Sequence, residues 1–378
     1  MRQGNHVTFL ILILVVGIGA AGVVLFVLTT SKPIIIEKKE IVEEIIEKEI
    51  PVTPTSSEKN TTNISFAMGI ARDISSTNTA STTNAGEEDA SYQITNGITH
   101  TVPLEKILAG GPEKDGIPSL DNPTFTSIKK ATDIQDDGMG IAISVGDTYR
   151  FYPFQILVWH EIVNDVIEDQ HILVTYCPLG GTGIVFDPKV NGTYTTFGTS
   201  GKLYQSNLVM YDTQTNSYWS QILGEAIVGK QTGKILTVLP YQIMRYHDWK
   251  QTYPNGEVLS TDTGFTRDYT TSPYGNYAND TSLFFPVDYT DNRYHPKMPT
   301  YVVTINDEMK AYPLEELEQS PEEFSDTIAG KKVSITYNKE TKIPLFIQDN
   351  TQEKLIPIYG FWFSFVSVYP DIAVYTAN

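Results

Sequence analysis

The hydrophobic positions fall into three regimes along the chain. From Val7 to Thr30 runs a stretch of 24 residues without a charge, VTFLILILVVGIGAAGVVLFVLTT. As one helix rising about 1.5 Å per residue it is long enough to cross a bilayer core. The segment 32–51, KPIIIEKKEIVEEIIEKEIP, sets Ile41, Ile45 and Ile46 at near-helical spacing among Glu and Lys. It predicts a short charged stalk, too brief for the three to four heptads of a coiled coil. Residues 52–98 turn to Thr, Ser, Asn and Gly with few large apolar side chains. Such a composition buries too little surface to offset its ordering entropy, which predicts a flexible linker.

From 99 to 378 the apolar runs are short, rich in Val, Ile, Tyr and Thr, and broken by Gly146-Asp147, Asn191-Gly192 and Asn306-Asp307. Strand, two-residue turn, strand is the hairpin pattern. Helical patterning is confined to 153–160, 241–252 and 313–324, and the apolar, aromatic YGFWFSFVSVYPD (359–371) reads as a core strand. The predicted class is α+β with antiparallel sheet dominant. The unit is also repeated: GDTYRFYPFQIL (146–157) aligns with NDEMKAYPLEEL (306–317), and NDVIEDQHILVTYC (164–177) with SDTIAGKKVSITYN (325–338). Copies are thus expected at about 140–177 and 300–338, the first elaborated by 178–298. A scaffold requirement should appear in both copies, whereas a chemical one need be met in only one.

Charge and cysteine usage narrow the function classes. The chain has a net charge of −18, and −19 once the first 30 residues are set aside. That excludes nucleic acid and anionic lipid as partners of the domain, because both need a basic surface. A 24-residue apolar run exceeds a signal-peptide core of about 7–15 residues, so residues 1–31 are read as an uncleaved, single-pass signal anchor. The Lys residues that follow it run against the positive-inside rule, but large domains translocate largely regardless of such flanks. Sequons at Asn60, Asn63, Asn191 and Asn279 fit an extracytoplasmic domain. The expected partners are the membrane, through the N-terminal helix, and proteins of the cell envelope. One cysteine excludes an internal disulfide and any multi-thiolate metal site within one chain.

Candidate chemistry gathers in WHEIVNDVIEDQHILVTYCPLGGTGIVFD (159–187). His160-Glu161 falls short of the His-Glu-x-x-His zinc motif because the fifth residue is Asn164 and the segment reads as strand. Cys177 is open to three readings: nucleophile, thiolate ligand, or small buried hydrophobe. Gly180, Gly181 and Thr182 lead a sharp turn whose amides could meet an anion. Cys177, His160 and Met210, with His171 or His295, would together suit a soft metal such as copper. Farther on, Tyr204, Tyr211, Trp219 and Gln221 either line a small-ligand cleft or form one face of a sheet. No nucleophile, base and orienting acid stand at a recognisable spacing, so whether the domain is an enzyme stays open.

Taken in order, DGIPSLDNPTF (115–125), YPFQILVWHEIVND (152–165), VTYCPLGGTGIVFD (174–187), SGKLYQSNLVMYD (200–212), YWSQILGEAIVG (218–229), TGFTRDY (263–269) and FWFSFVSVYPD (361–371) resemble the prokaryotic family of domain of unknown function 3179. The resemblance implies no activity. It does imply a comparison, since many members read Cys-Pro-Leu-Cys-Gly-Thr where this chain has Cys-Pro-Leu-Gly-Gly-Thr. Cys177 stands at the first cysteine of that pair and Gly180 at the second, which removes the intramolecular dithiol.

Overall fold

The computed structural model describes residues 92–377. The expected membrane anchor, stalk and nearly all of the expected linker lie outside the described residues. Linker residues 92–98 do fall within them. Gln93–Thr95 pairs with Ile98–His100 across Asn96-Gly97, both at positive φ, as a two-residue hairpin turn requires. The class is α+β with β structure dominant, as the hairpin pattern predicts.

Two similar halves make up most of the described chain. Each opens with a hairpin, Met139–Val145 with Thr148–Pro153 in the first and Pro299–Ile305 with Glu308–Pro313 in the second. The registers correspond, Ile141 facing Tyr152 and Tyr301 facing Tyr312. A short helix follows, Phe154–Leu157 or Leu314–Gln319, each starting just after a proline whose fixed φ suits a helix start. These helices are shorter than the predicted 153–160 and 313–324. Beyond them the chain re-enters strand, Ile162–Ile167 and Glu323–Ile328, so His160 and Asn164 never share a helix face. The strand Gln170–Cys177 then matches Lys331–Asn338.

The correspondence extends beyond the expected copies. Gln242–Arg245 pairs with the first hairpin as Ile358–Phe361 pairs with the second, placing Arg245 opposite Met139 and Phe361 opposite Pro299. A helix follows each return strand, Tyr246–Thr252 or Trp362–Val368. A short strand then runs parallel to the hairpin, Val258 beside Phe151 and Val374 beside Ala311. Within the expected strand 359–371, only 359–361 are strand, and Trp362–Val368 is a helix. Residues 362–367 of it are all buried, and a continuous apolar run carries no period to separate buried helix from buried strand. Likewise 242–245, expected within a helix, is strand.

The halves differ by one insertion. Asp187 pairs with Thr237 where Gln348 pairs with Glu353, so the first half is 45 residues longer at this point. The extra segment builds the strands Phe197–Tyr204, Asn207–Asp212, Tyr218–Ser220 and Glu225–Val228 of a seven-stranded sheet. One face of it packs over Ile162, Leu173, Cys177 and Ile184 of the first half, and the other, with Val209, Tyr218 and Ile227, packs against Val302, Trp362 and Phe365 of the second.

The halves also share a buried polar knot. The Tyr152 hydroxyl and Arg150 donate to the Asp165 carboxylate at 2.5 and 2.7 Å, and the Val166 amide donates to it at 2.7 Å. In the second half the Tyr312 hydroxyl, Lys310 and the Thr327 amide donate to Asp326 at 2.9, 2.8 and 2.7 Å. A feature repeated at matching positions serves the scaffold.

Candidate functional site

His160 and Glu161 lie where the first short helix hands over to strand. Glu161 adopts φ of 57°, a left-handed conformation that costs a non-glycine residue about 1 kcal/mol or more. Its amide donates to Leu157 O at 2.7 Å and its carbonyl accepts the Tyr176 amide at 2.7 Å. Glu322 of the second half accepts the Tyr337 amide at the same distance, which identifies Glu322 as the counterpart of Glu161 and Pro321 as that of His160. The reversal at Glu161 sends the two neighbouring side chains into different surroundings.

The His160 ring is fully buried, with Nδ1 2.8 Å from Pro118 O and Nε2 2.6 Å from the Tyr269 hydroxyl. A carbonyl only accepts, so Nδ1 carries the proton and Nε2 accepts from Tyr269. The Tyr269 oxygen lies 2.6 Å from Thr263 Oγ1, which completes a one-way chain from Thr263 to Tyr269 to His160 to Pro118. Burial, with Arg267 nearby, outweighs the Pro118 hydrogen bond and lowers the imidazole pKa, while burial raises that of the Tyr269 phenol. Both groups are therefore neutral at neutral pH, and the imidazole acts as a hydrogen-bond acceptor for the phenol.

Thr263 opens onto a cleft of about 490 Å³ between the segments 119–124 and 259–265. Asp121, Asp262, Ser119, Ser260 and Thr124 line it, and Phe265 lies 43 % exposed at its wall. The second half has a cavity of about 400 Å³ that shares only two equivalent lining positions with this cleft, Tyr375 and Thr376 standing for Leu259 and Ser260. There Pro321 stands in place of the imidazole, and the Tyr375 hydroxyl is 2.9 Å from Ser320 Oγ. The imidazole–phenol relay is confined to the first half, and so is the 119–124 wall of its cleft.

Glu161 points the other way, into a small chamber of about 40 Å³ that it shares with Cys177, Leu179, Leu208 and Tyr274. That volume admits a single water. Burial pushes the Glu161 carboxyl up to about 8 against a modest opposing effect of the Tyr274 hydroxyl at 3.4 Å. Burial, with Glu161 adding to it, pushes the Cys177 thiol up to about 12. Cys177 is 1 % exposed among Leu173, Ile184, Phe186 and Met210, and its sulfur accepts the Gly180 amide at 3.5 Å. Its neighbour in the chamber is thus Glu161, and the His160 nitrogens are both engaged elsewhere.

Neither ring nitrogen of His160 is left for a metal. His171 stacks on Tyr194 at 4.1 Å between centroids, and His295 Nδ1 accepts the Lys297 amide. Among the described residues no three His, Cys, Asp or Glu side chains gather where they could hold a metal ion. The set expected to suit copper is not assembled, because its members face separate surroundings.

The other expected ligand contacts bond one another. Thr182 Oγ1 donates to Gln221 Oε1 at 2.7 Å, and the Gln221 amide nitrogen donates to Thr175 Oγ1 and Thr182 O. The Gly180 carbonyl accepts the Phe361 amide and the Ser364 hydroxyl, tying the turn to the second half. Gly181, at φ of 60°, leaves no room for a side chain, since a Cβ would lie 2.8 Å from the Phe361 ring. Tyr211 donates to Asp115, Trp219 Nε1 donates to Asp212 at 3.1 Å, and Tyr204 is buried in its sheet. Residues 180–182 and 221 form the junction between the halves. Pro118, Thr263 and Tyr269, which sequence reasoning assigned no role, are the residues that complete the His160 site. Their signal lay in the motifs DGIPSLDNPTF and TGFTRDY.

Residues 114–359 match the family described as Protein of unknown function (DUF3179). The chain belongs to this family. The matched span runs from just before Pro118 to Tyr359, taking in both hairpins, the inserted sheet and the cleft. No curated protein and no solved structure matches the chain. Among the described residues no helix is long and apolar enough to cross a membrane, and the expected span at 7–30 lies outside them.

Proposed function

We propose that the domain binds a small hydroxyl- or amine-bearing molecule in the cleft beside His160, and that Thr263, at the open end of the Thr263–Tyr269–His160 chain, accepts a hydrogen bond from it. The observation that carries this reading is the direction of the chain. Pro118 fixes the imidazole tautomer, so the accepting nitrogen faces Tyr269 and, through it, the cleft. Asp121 and Asp262 offer acceptors to hydroxyl or ammonium groups, and Phe265 offers a ring face. The second half, where Pro321 replaces His160, lacks both the relay and the 119–124 wall, which supports a role specific to the first half. The uncharged run at 7–30 supports placing the domain outside the cell on a single-pass anchor.

The test is NMR titration of the isotope-labelled chain with a panel of monosaccharides, amino sugars and polyamines, alongside Tyr269→Phe and His160→Gln. The expected result is saturable shifts in 119–124 and 259–265 for at least one compound, weakened in both variants. Saturable shifts confined to other regions, or none in a chain with native spectra, would overturn the proposal.

A further inference from the structure

The duplication also exposes a place where the halves fail to match. In the first half the strand Thr182–Asp187 reaches across through Gly183 to pair with Tyr359 on the second half's return strand. Thr182 faces Cys177 as Ile343 faces Asn338, so Pro344 is the counterpart of Gly183. By the return-strand registers Ile243 is the counterpart of Tyr359. A symmetric molecule would pair Pro344 with Ile243. Here the strand Gln242–Arg245 is instead the edge of its sheet, and Pro344 has no N–H to give to a ladder.

What stands in place of that pairing is a cavity of about 370 Å³. Its walls include Tyr241, Tyr253, Tyr301 and Tyr359 together with Pro344 and Pro357. Tyr241 and Tyr301 are held by their hydroxyls, which donate to Pro357 O at 3.3 Å and Lys342 O at 3.1 Å, so their rings are fixed as walls. Of the lining side chains only Lys354 is charged. The volume lies in the range of small-molecule sites, and rigid aromatic walls favour a flat aromatic guest. An ammonium group on an otherwise uncharged wall favours an anionic substituent on that guest.

We infer that this seam cavity is a second ligand site, taking a flat aromatic molecule that carries an acidic group. The duplicated fold closes one seam with a strand pair and leaves the other open as a tyrosine-walled slot with a single cation. This site is separate from the His160 cleft, so either assignment stands or falls alone.

Isothermal titration of the full chain with 2-naphthoate tests it, with uncharged naphthalene-2-methanol as the matched probe. The expected result is saturable one-to-one binding of 2-naphthoate, weakened about tenfold by Lys354→Ala, as loss of a charge-assisted contact implies. Naphthalene-2-methanol should bind with an affinity that Lys354→Ala leaves unchanged. Ser144→Trp, on an exposed strand position at the cavity wall, should abolish binding of both probes without altering the thermal transition. Absence of saturable 2-naphthoate binding by a chain with a native thermal transition would overturn the inference. So would binding that Lys354→Ala and Ser144→Trp both leave intact.

Discussion

His160 Nε2 lies 2.6 Å from the Tyr269 hydroxyl, inside a pocket where neither group meets bulk water. Tyr269→Phe keeps the ring and removes the donor, leaving Nε2 a buried acceptor with nothing to accept. The expected cost is about 1–3 kcal/mol, the usual penalty for an orphaned buried polar group. Urea unfolding checks it. A loss below about 0.5 kcal/mol would mean that water replaces the phenol, and that the chain of hydroxyls is not a closed structure.

The same imidazole should make the domain acid-sensitive. Its pKa is lowered in the folded chain from an ordinary value of 6.5, chiefly by burial. Between the folded value and 6.5 the unfolded chain holds the proton more readily, so stability falls as pH drops below 6.5 and levels off once the folded value is passed. His160→Gln should flatten this part of the curve. Thermal midpoints from pH 7.5 down to pH 4.5 check it, and an unchanged acid slope in the variant would remove His160 as its source.

Glu161 predicts the opposite slope. Its carboxyl ordinarily titrates at 4.5 and is pushed up to about 8 by burial in the small chamber with Cys177. The folded chain holds this proton more tightly, so the contribution to stability is full below pH 4.5 and is lost as pH rises to about 8. Glu161→Gln, of similar size and uncharged, should match wild type at pH 4.5, exceed it increasingly up to about pH 8, and keep a constant margin above that. The thermal midpoints of the two chains at pH 4.5, 6.5 and 8.5 decide it, and parallel curves would show the carboxyl to be solvated in the folded state.

How far the sequence discloses this molecule depends on whether a feature leaves a local period. The hairpins at Gly146-Asp147 and Asn306-Asp307 are legible because two-residue turns between alternating runs have few alternatives. The repeat is legible where both copies keep the hairpin and Tyr-Pro, and fades in the return strands, where Tyr253-Pro254 and Tyr369-Pro370 are nearly all that remains in common. The helix Trp362–Val368 was hidden by its own burial on every side. At the site, His160 was legible as chemistry that the second copy lacks, but its partners were not. Pro118, Tyr269 and Thr263 lie 42 to 109 residues from it or meet it only through each other, and pairing at that range is decided by tertiary packing.

The duplicated carboxylates provide an internal comparison. Asp165 and its partner Arg150 are 5 % and 17 % exposed, against 15 % and 19 % for Asp326 and Lys310. Asp165→Ala strands a mostly buried guanidinium and the Tyr152 hydroxyl together, and the expected cost is about 3–5 kcal/mol. Asp326→Ala should cost less, because the flexible Lys310 ammonium can reach water while Arg150 is held between Asp165 and Glu257. Chemical denaturation of both variants under one set of conditions orders them. Equal costs would show that the knot acts through its phenol alone.

Cys177 should behave as part of the core. Its thiol is 1 % exposed and is pushed up to about 12, mainly by burial and then by Glu161, so almost no thiolate exists at neutral pH and a reagent has no approach. Treatment of the native chain with iodoacetamide at pH 7.5 should leave the cysteine unmodified, while the same reagent in denaturant should modify it fully. Cys177→Ala should remain folded, with a modest loss from the lost sulfur contacts to Leu173, Ile184 and Met210. Cys177→Asp should be strongly destabilised at neutral pH, because the chamber would bury an ionisable carboxyl beside the Glu161 carboxyl, with Lys202 the one cation among the residues that line it. Native-state alkylation of wild type at the rate of a free thiol would place the sulfur at the surface and return it to the list of reactive groups.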